Sequence, residues 1–196
     1  MKLHRLLLPS LYSPPILTLF LVLVLLLSPS PTSSAPGDAA SFLREACQRA
    51  SRGDPNLTYG FCLSSLAPGS EQASSIHDLV LVSIDHAVSN TTKIRSRIKT
   101  LLKGGVFAKD PYVEACLKDC LELYSGAKLD LQWAVRFLKE KDYGSANVEL
   151  SAVMDASVTC EDGFGEREGK VSPLTAENRV FFQLSSICLA LVTMLP

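Results

Sequence analysis

Apolar residues recur at steps of three and four along most of the chain, the spacing that lines one face of an α-helix. From Ser70 to Leu102 they fall at Ile76, Val80, Ile84 (beside Ser83), Ala87, Thr91, Ile94, Ile98 and Leu101, which predicts one long amphipathic helix. Gly104 and Gly105 end it, because glycine accepts the left-handed backbone that closes a helix. Asp110-Pro111 opens a second run, an N-cap candidate followed by proline at the first helical position. Its stripe is Val113, Leu117, Cys120, Tyr124, Leu131, Ala134 and Leu138, with a kink expected at Ser125-Gly126. A third run, Gly144 to about Cys160, carries Ala146, Leu150, Val153, Ser157 and Cys160, and the charged stretch Glu161 to Lys170 reads as a loop. Ser172-Pro173 opens a fourth, with Leu174, Phe181, Leu184, Cys188, Leu191 and Leu195 on its stripe and Glu177 and Arg179 expected in water.

Four amphipathic helices on short connections predict an all-α, up-down-up-down four-helix bundle over residues 70–196. No segment alternates with period two over strand length. Ahead of the bundle, Ala40 to Ala50 and Leu57 to Leu66 read as two short helices about an Asp54-Pro55 turn. Cys47 and Cys62 would clip them into an N-terminal helical hairpin over 36–69. So small a hairpin has little core, and closing a loop of about 15 residues is worth roughly 3 kcal/mol in the chain-entropy picture.

Residues 1–35 have a different pattern. Lys2, His4 and Arg5 precede an apolar run from Ile16 to Leu27, and Ser33-Ser34-Ala35 supplies small residues at the cleavage positions of a secretory signal. The run is shorter than the roughly 20 residues a membrane-spanning helix needs, and Pro14 and Pro15 block its extension. Cleavage after Ala35 leaves an exported chain with no membrane segment. In an oxidising compartment the six cysteines are disulfide candidates before they are metal ligands. No CxxC pair occurs, and His77 and His86 share no helix face, so neither a metal nor a cofactor is expected. Asn56-Leu57-Thr58 and Asn90-Thr91-Thr92 are sequons that suit a glycosylated surface, at Asn56 and Asn90.

Of the 196 residues 19 are Lys or Arg and 20 are Asp or Glu, a balance that disfavours a nucleic-acid binder. No GxSxG, HExxH, GxxxxGK[ST] or GxGxxG motif marks a catalytic site. Asp78, Asp85, Glu114, Glu122 and Asp130 are spaced as solvated helix faces, and Asp85-His86 has no serine nucleophile beside it, so no catalytic residue is assigned.

The cysteine pattern and its flanks resemble the plant invertase/pectin methylesterase inhibitor family across the whole exported chain. The matching pieces are Cys47 with Tyr59-Gly60-Phe61-Cys62, then Leu117-Lys118-Asp119-Cys120-Leu121-Glu122-Leu123-Tyr124. Leu150-Ser151-Ala152, Thr159-Cys160-Glu161-Asp162-Gly163-Phe164 and Ser172-Pro173-Leu174-Thr175 follow in order. The later half is especially similar to the members named for invertase inhibition.

The resemblance implies a disulfide-stabilised four-helix bundle with a hairpin extension, pairing Cys47 with Cys62 and Cys120 with Cys160. Periodicity alone leaves Cys116 and Cys120 as alternatives, since both lie on one helix face one turn apart; the family motif selects Cys120. Cys116 and Cys188 are then expected as buried free thiols, about 13 Å apart in depth along the bundle at 1.5 Å per residue, too far for a bridge. The resemblance also implies an inhibitor, secreted to the apoplast and cell wall, that docks on pectin methylesterase and covers its cleft. Invertase-blocking relatives share a Pro-Lys-Phe tripeptide between the second and third bundle helices, where this chain reads Lys139-Glu140-Lys141-Asp142-Tyr143-Gly144. Acid invertase is therefore the alternative target, and a structural or signalling bundle without a target enzyme is a further one. Asp142 and Tyr143 are the contact candidates in that connector. Lys93, Arg95, Arg97, Lys99 and Lys103 suit the negative end of their helix dipole; the sharper reading is a patch for polyanionic pectin or an acidic partner.

Overall fold

The computed structural model describes residues 36–105, 107 and 109–196, so the expected signal segment lies outside the described residues. Among the described residues six helices follow one another: α1 (Pro36–Gly53), α2 (Tyr59–Leu66), α3 (Ile76–Lys103), α4 (Pro111–Lys139), α5 (Tyr143–Gly165) and α6 (Thr175–Val192). There is no strand among the described residues. Helices α3 to α6 form the four-helix bundle; α3 and α5 each pack on both α4 and α6, which places α3 and α5 on opposite corners. The α1–α2 hairpin lies against α3 and α6.

The stripes meet in one core. Leu79, Ile94 and Ile98 of α3, Leu117, Leu131 and Leu138 of α4, Leu150 and Val153 of α5 and Ile187 and Leu191 of α6 are all buried. Tyr124 and Phe181 meet edge to face in its middle, ring centroids 5.1 Å apart, an arrangement that suits the aromatic quadrupoles. Burial of Tyr124 requires a partner for its hydroxyl, and Tyr124 Oη donates to Asn178 Oδ1 at 2.6 Å. Asn178 Nδ2 in turn donates to Glu161 Oε2 at 2.6 Å, and Thr175 Oγ1 donates to Glu161 Oε1 at 2.6 Å. This chain of hydrogen bonds ties α4, α5 and α6 together beside Cys160.

Local chemistry sets the helix ends, and in places it departs from the periodicity. α3 begins at Ile76, six residues later than expected, because Ser75 and Asp78 form a capping box: the Asp78 N–H donates to Ser75 Oγ at 3.1 Å and the Ser75 N–H to Asp78 Oδ2 at 2.9 Å. Gly105, at φ 63°, takes the left-handed position after its last turn. α4 runs through Ser125-Gly126 without a break. Ser125 Oγ donates to Leu121 O at 2.6 Å and accepts from Arg95 Nε at 3.1 Å, so the serine serves the α3–α4 contact and makes no kink. α5 continues to Gly165 through residues expected as loop, because Phe164, one turn after Cys160, is core. Glu177 is half-exposed and leans to α3, 3.8 Å from Arg97 Nε.

Candidate functional site

The cysteines frame the molecule. Cys47 and Cys62 are bonded across the hairpin with Cα atoms 5.6 Å apart, and Cys120 and Cys160 join α4 to α5 at 4.9 Å. Cys116 and Cys188 are unbridged and buried. Burial pushes the Cys116 thiol above its ordinary pKa and the Cys188 thiol up to about 12, so neither is a ready nucleophile. Cys116 Sγ instead donates to Gly163 O at 3.4 Å, and Tyr112 Oη donates to the same carbonyl at 2.6 Å.

The two sequons occupy unlike positions. Asn56 is exposed in the turn between α1 and α2, where its N–H donates to Asp54 Oδ1 at 2.8 Å. Asn90 lies in the middle of α3 with Oδ1 buried and no partner among the described residues, and Thr91 faces the core.

The connector between α4 and α5 is short and internally bonded. Lys141 holds φ 59°, and Asp142 caps α5, accepting from the Ser145 N–H at 3.0 Å and from Ser145 Oγ at 2.7 Å. Those two bonds, the hydroxyl foremost, hold the Asp142 carboxyl below its usual pKa. Tyr143 is half-buried and packs against the core. Both side chains therefore have structural work in the turn.

The most distinctive surface lies along the α4–α5 seam. Two grooves of about 550 and 480 Å³ run together there, sharing Asp119, Leu123 and Thr159. Small residues, Gly126, Ala127, Ala152 and Ala156, line the first of them. Their walls are acidic: Glu122, Asp130 and Asp155 line the first, Asp162 and Glu166 the second, and Asp119 both. The face has this sign because α5, from Tyr143 to Gly165, carries Glu149, Asp155, Glu161 and Asp162 and contains no Lys or Arg. Burial raises the pKa of Asp130, so it gives up its charge at a higher pH than an open carboxylate. Next to Asp130 along α4, Leu129 and Trp133 stand 57% and 46% exposed, one turn apart. The Arg136 guanidinium lies 5.1 Å from the Trp133 ring centroid, and Phe137 at 6.3 Å supports it.

In the sequence Glu122 and Asp130 read as solvated, Asp119 and Asp162 stand out only as parts of the family-like strings, and nothing marks Asp155 or Trp133. The available signal was the absence of cations over the whole of α5. Chemically the seam offers carboxylates, one aromatic anchor and no nucleophile–base pair. Among the described residues no cluster of three or more His, Cys, Asp or Glu is arranged to hold a metal ion. No helix of the described residues is long and apolar enough to cross a membrane.

The family model described as "Plant invertase/pectin methylesterase inhibitor" matches residues 41–191. A "Putative invertase inhibitor" from Platanus acerifolia is 40% identical over 158 residues, 80% of this chain and 87% of that protein. "Pectinesterase inhibitor 12" from Arabidopsis thaliana is 36% identical over 159 residues, 80% of this chain and 89% of its own length. Among solved structures, a mutant form of a pectin methylesterase inhibitor from Arabidopsis superposes with a TM-score of 0.63 at 24% identity, covering 76% of this chain and 94% of that one, which shows a shared fold.

Proposed function

The chain belongs to the plant invertase/pectin methylesterase inhibitor family, and from that premise we propose that it is a secreted inhibitor of a cell-wall pectin methylesterase, blocking the enzyme's cleft with the acidic α4–α5 face. The observation that carries the choice of target is the sign of that face. Pectin methylesterase works along a galacturonate polymer whose freed carboxylates make it anionic, so its cleft must accommodate a row of negative charge. A rigid seam with Asp119, Glu122, Asp130 and Asp155 along it presents the same chemistry in a form that cannot be hydrolysed. Sucrose, the substrate of invertase, is neutral and calls for no such face.

Inhibition of this kind needs no reactive residue. The Cys120–Cys160 disulfide and the Tyr124–Asn178–Glu161 chain of hydrogen bonds fix α4, α5 and α6 before binding, so little ordering entropy is lost on docking. Trp133 and Leu129, exposed beside the acids, supply apolar anchors of the type that dominate interface energies. The chain is exported by residues 1–35 to the apoplast, and Asn56, open in its turn, is the sequon we assign a glycan.

Acid invertase is the second reading, favoured by the names of the Platanus acerifolia and Platanus orientalis relatives at 40% and 39% identity. Against it stand the connector without Pro-Lys-Phe and the engagement of Asp142 in capping. Titrating the disulfide-intact protein into each enzyme near pH 5 to 6 separates the readings. Loss of methanol release from pectin is the expected result. Loss of sucrose cleavage alone transfers the assignment to invertase, and no effect on either enzyme overturns inhibition.

A further inference from the structure

The second charged surface of the bundle is not used by this docking scheme. Between His86 and Lys109 there is no Asp or Glu, and Lys93, Arg95, Arg97, Lys99 and Lys103 all fall on the part of α3 turned away from the core. The helix dipole accounts for only part of this, since its influence is confined to the last turn. Lys93 stands about 15 Å before Lys103 at 1.5 Å per residue, well beyond that reach.

The arrangement also works against the helix. Lys93 with Arg97, Arg95 with Lys99, and Lys99 with Lys103 are like charges four residues apart, a spacing that repels. Elsewhere the chain places acids at that spacing: Glu114 meets Lys118 at 2.7 Å, and Arg136 meets Glu140 at 3.1 Å. On α3 the relief is slight. Arg97 has Glu177 at 3.8 Å, Arg95 donates to the Ser125 hydroxyl, and Lys93, Lys99 and Lys103 have no ion pair among the described residues.

Between the cation rows runs a ridge of hydroxyls. Thr92, Ser96 and Thr100 are four residues apart and exposed, flanked on one side by Lys93 and Arg97 and on the other by Arg95, Lys99 and Lys103. The hydroxyls of Thr92 and Thr100 donate back to Val88 O and Ser96 O, which leaves their oxygens free to accept. A linear ligand lying along this strip would meet cations at both edges and hydrogen-bonding oxygen down the middle. That demands a chain that is itself anionic and hydroxylated, which describes a polyuronate.

We infer that the outer face of α3, from Thr92 to Lys103, binds de-esterified galacturonan, the polyanion left when methyl esters are hydrolysed from pectin. The partner class rests on the proposed esterase target only for its biological setting; the charge and hydroxyl pattern stand without it. The seam lies between α4 and α5 and the strip on the outer side of α3, so the polymer and the enzyme engage different faces. The inhibitor would then collect where esterase action has already exposed carboxylates and hold its acidic seam free toward the enzyme.

The test needs no enzyme, so its failure is distinct from failure of the inhibitor reading. Binding of the intact protein to size-defined polygalacturonate is measured by calorimetry at 20 and 250 mM NaCl. Fully methyl-esterified galacturonan and poly-glutamate of matched length serve as comparisons. Polygalacturonate is expected to bind most tightly and to weaken with salt, as exposed charges are screened. The variant Lys93→Gln/Arg97→Gln/Lys99→Gln/Lys103→Gln should lose about tenfold or more in affinity. The equally charge-reduced Lys118→Gln/Lys139→Gln/Lys141→Gln/Arg179→Gln should bind as the native protein does. Equal loss in both variants, equal binding to the esterified polymer, or no binding at 20 mM NaCl would overturn the assignment. Binding to poly-glutamate as tight as to polygalacturonate would do so too, by assigning the face to an acidic polypeptide.

Discussion

Removing a single oxygen tests whether the buried polar chain holds the bundle together. Tyr124 is fully buried and Asn178 is 3% exposed, so neither has water as an alternative partner. Burial, with Glu161 and Glu177 adding to it, pushes the Tyr124 phenol far above its ordinary pKa, so the hydroxyl stays protonated and donates. Tyr124→Phe keeps the ring, and therefore the 5.1 Å contact with Phe181, but strands Asn178 Oδ1. A buried acceptor left unpaired costs about 1–3 kcal/mol. Taking about 2 kcal/mol, the melting temperature of a chain of this size should fall by roughly 4–8 °C. Adding Asn178→Leu removes the stranded acceptor as well, so the double variant should be less damaged than the sum of the singles, by about 1 kcal/mol or more. Urea denaturation of all four proteins with disulfides intact gives the cycle directly. If Tyr124→Phe lies within about 0.5 kcal/mol of the native protein, or the two changes simply add, then the Tyr124–Asn178 bond does not contribute as argued.

The other expectations concern crosslinks and charge. Cys120→Ala/Cys160→Ala opens a loop of 40 residues between bundle helices and should lower global stability by about 4 kcal/mol in urea. Cys47→Ala/Cys62→Ala should act locally instead, with hydrogen exchange accelerating in α1 and α2 while α3 to α6 keep their protection; global loss of protection would contradict the division. At acid pH the helix starts should weaken together. Asp110, bonded by Lys170, and Asp142, bonded by Ser145, have lowered pKa values, and at Asp78 the Ser74 and Ser75 bonds outweigh the upward push of burial. A lowered folded pKa means the stabilisation is complete above the unfolded value of about 3.9 and is lost as pH falls through the folded values. Thermal melts between pH 5.5 and 2.5 should show that fall, and Asp78→Asn should flatten it; a flat native profile would refute it. Asp130, raised by burial, loses its charge earlier on acidification than an open aspartate. Inhibition of the esterase by Asp130→Asn should therefore depend less on pH between 6 and 4 than inhibition by the native protein, and parallel profiles would remove Asp130 from the interface.

The four stripes were legible because a helix buried on one side must repeat its apolar residues near every 3.6 positions. Ends were harder, since they depend on which polar atom reaches which N–H. The Ser75/Asp78 box was written in the sequence, yet the periodicity drew α3 back to Ser70. Phe164 continues the stripe of Cys160 by one turn, but the glycines and charges around it have the composition of a loop. Ser125-Gly126 looked like a hinge only while the partner of Ser125 on α3 was unknown. The acidic seam is a different case. Asp119, Glu122 and Asp130 lie on α4, Asp155 and Asp162 on α5, and each set alone matches a solvated helix face. Their convergence exists only once α4 and α5 are paired, information that no window on one helix contains. The choice of Cys120 over Cys116 likewise came from resemblance, because two cysteines one turn apart satisfy the same period.

Near-zero net charge conceals how the charges are divided. The chain carries a formal net charge of −1, but α5 holds four acids and no cation, while the stretch from His86 to Lys109 holds cations and no acid. Mixing these signs along each helix would have been the stabilising choice, through i,i+4 pairs. Segregating them forgoes those pairs and adds repulsion within α3, so the stability lost must be recovered by the core and the two disulfides. A separation maintained against that cost orients the molecule in an external field even when its total charge is small. Near an anionic polymer the α3 corner is drawn in and the α5 corner turned out. The two proposed faces thus depend on each other's position: an acidic seam directly beside the basic strip would weaken the attraction to the polymer, and a seam between α4 and α5 with the strip on the outer side of α3 lets one rigid bundle serve both.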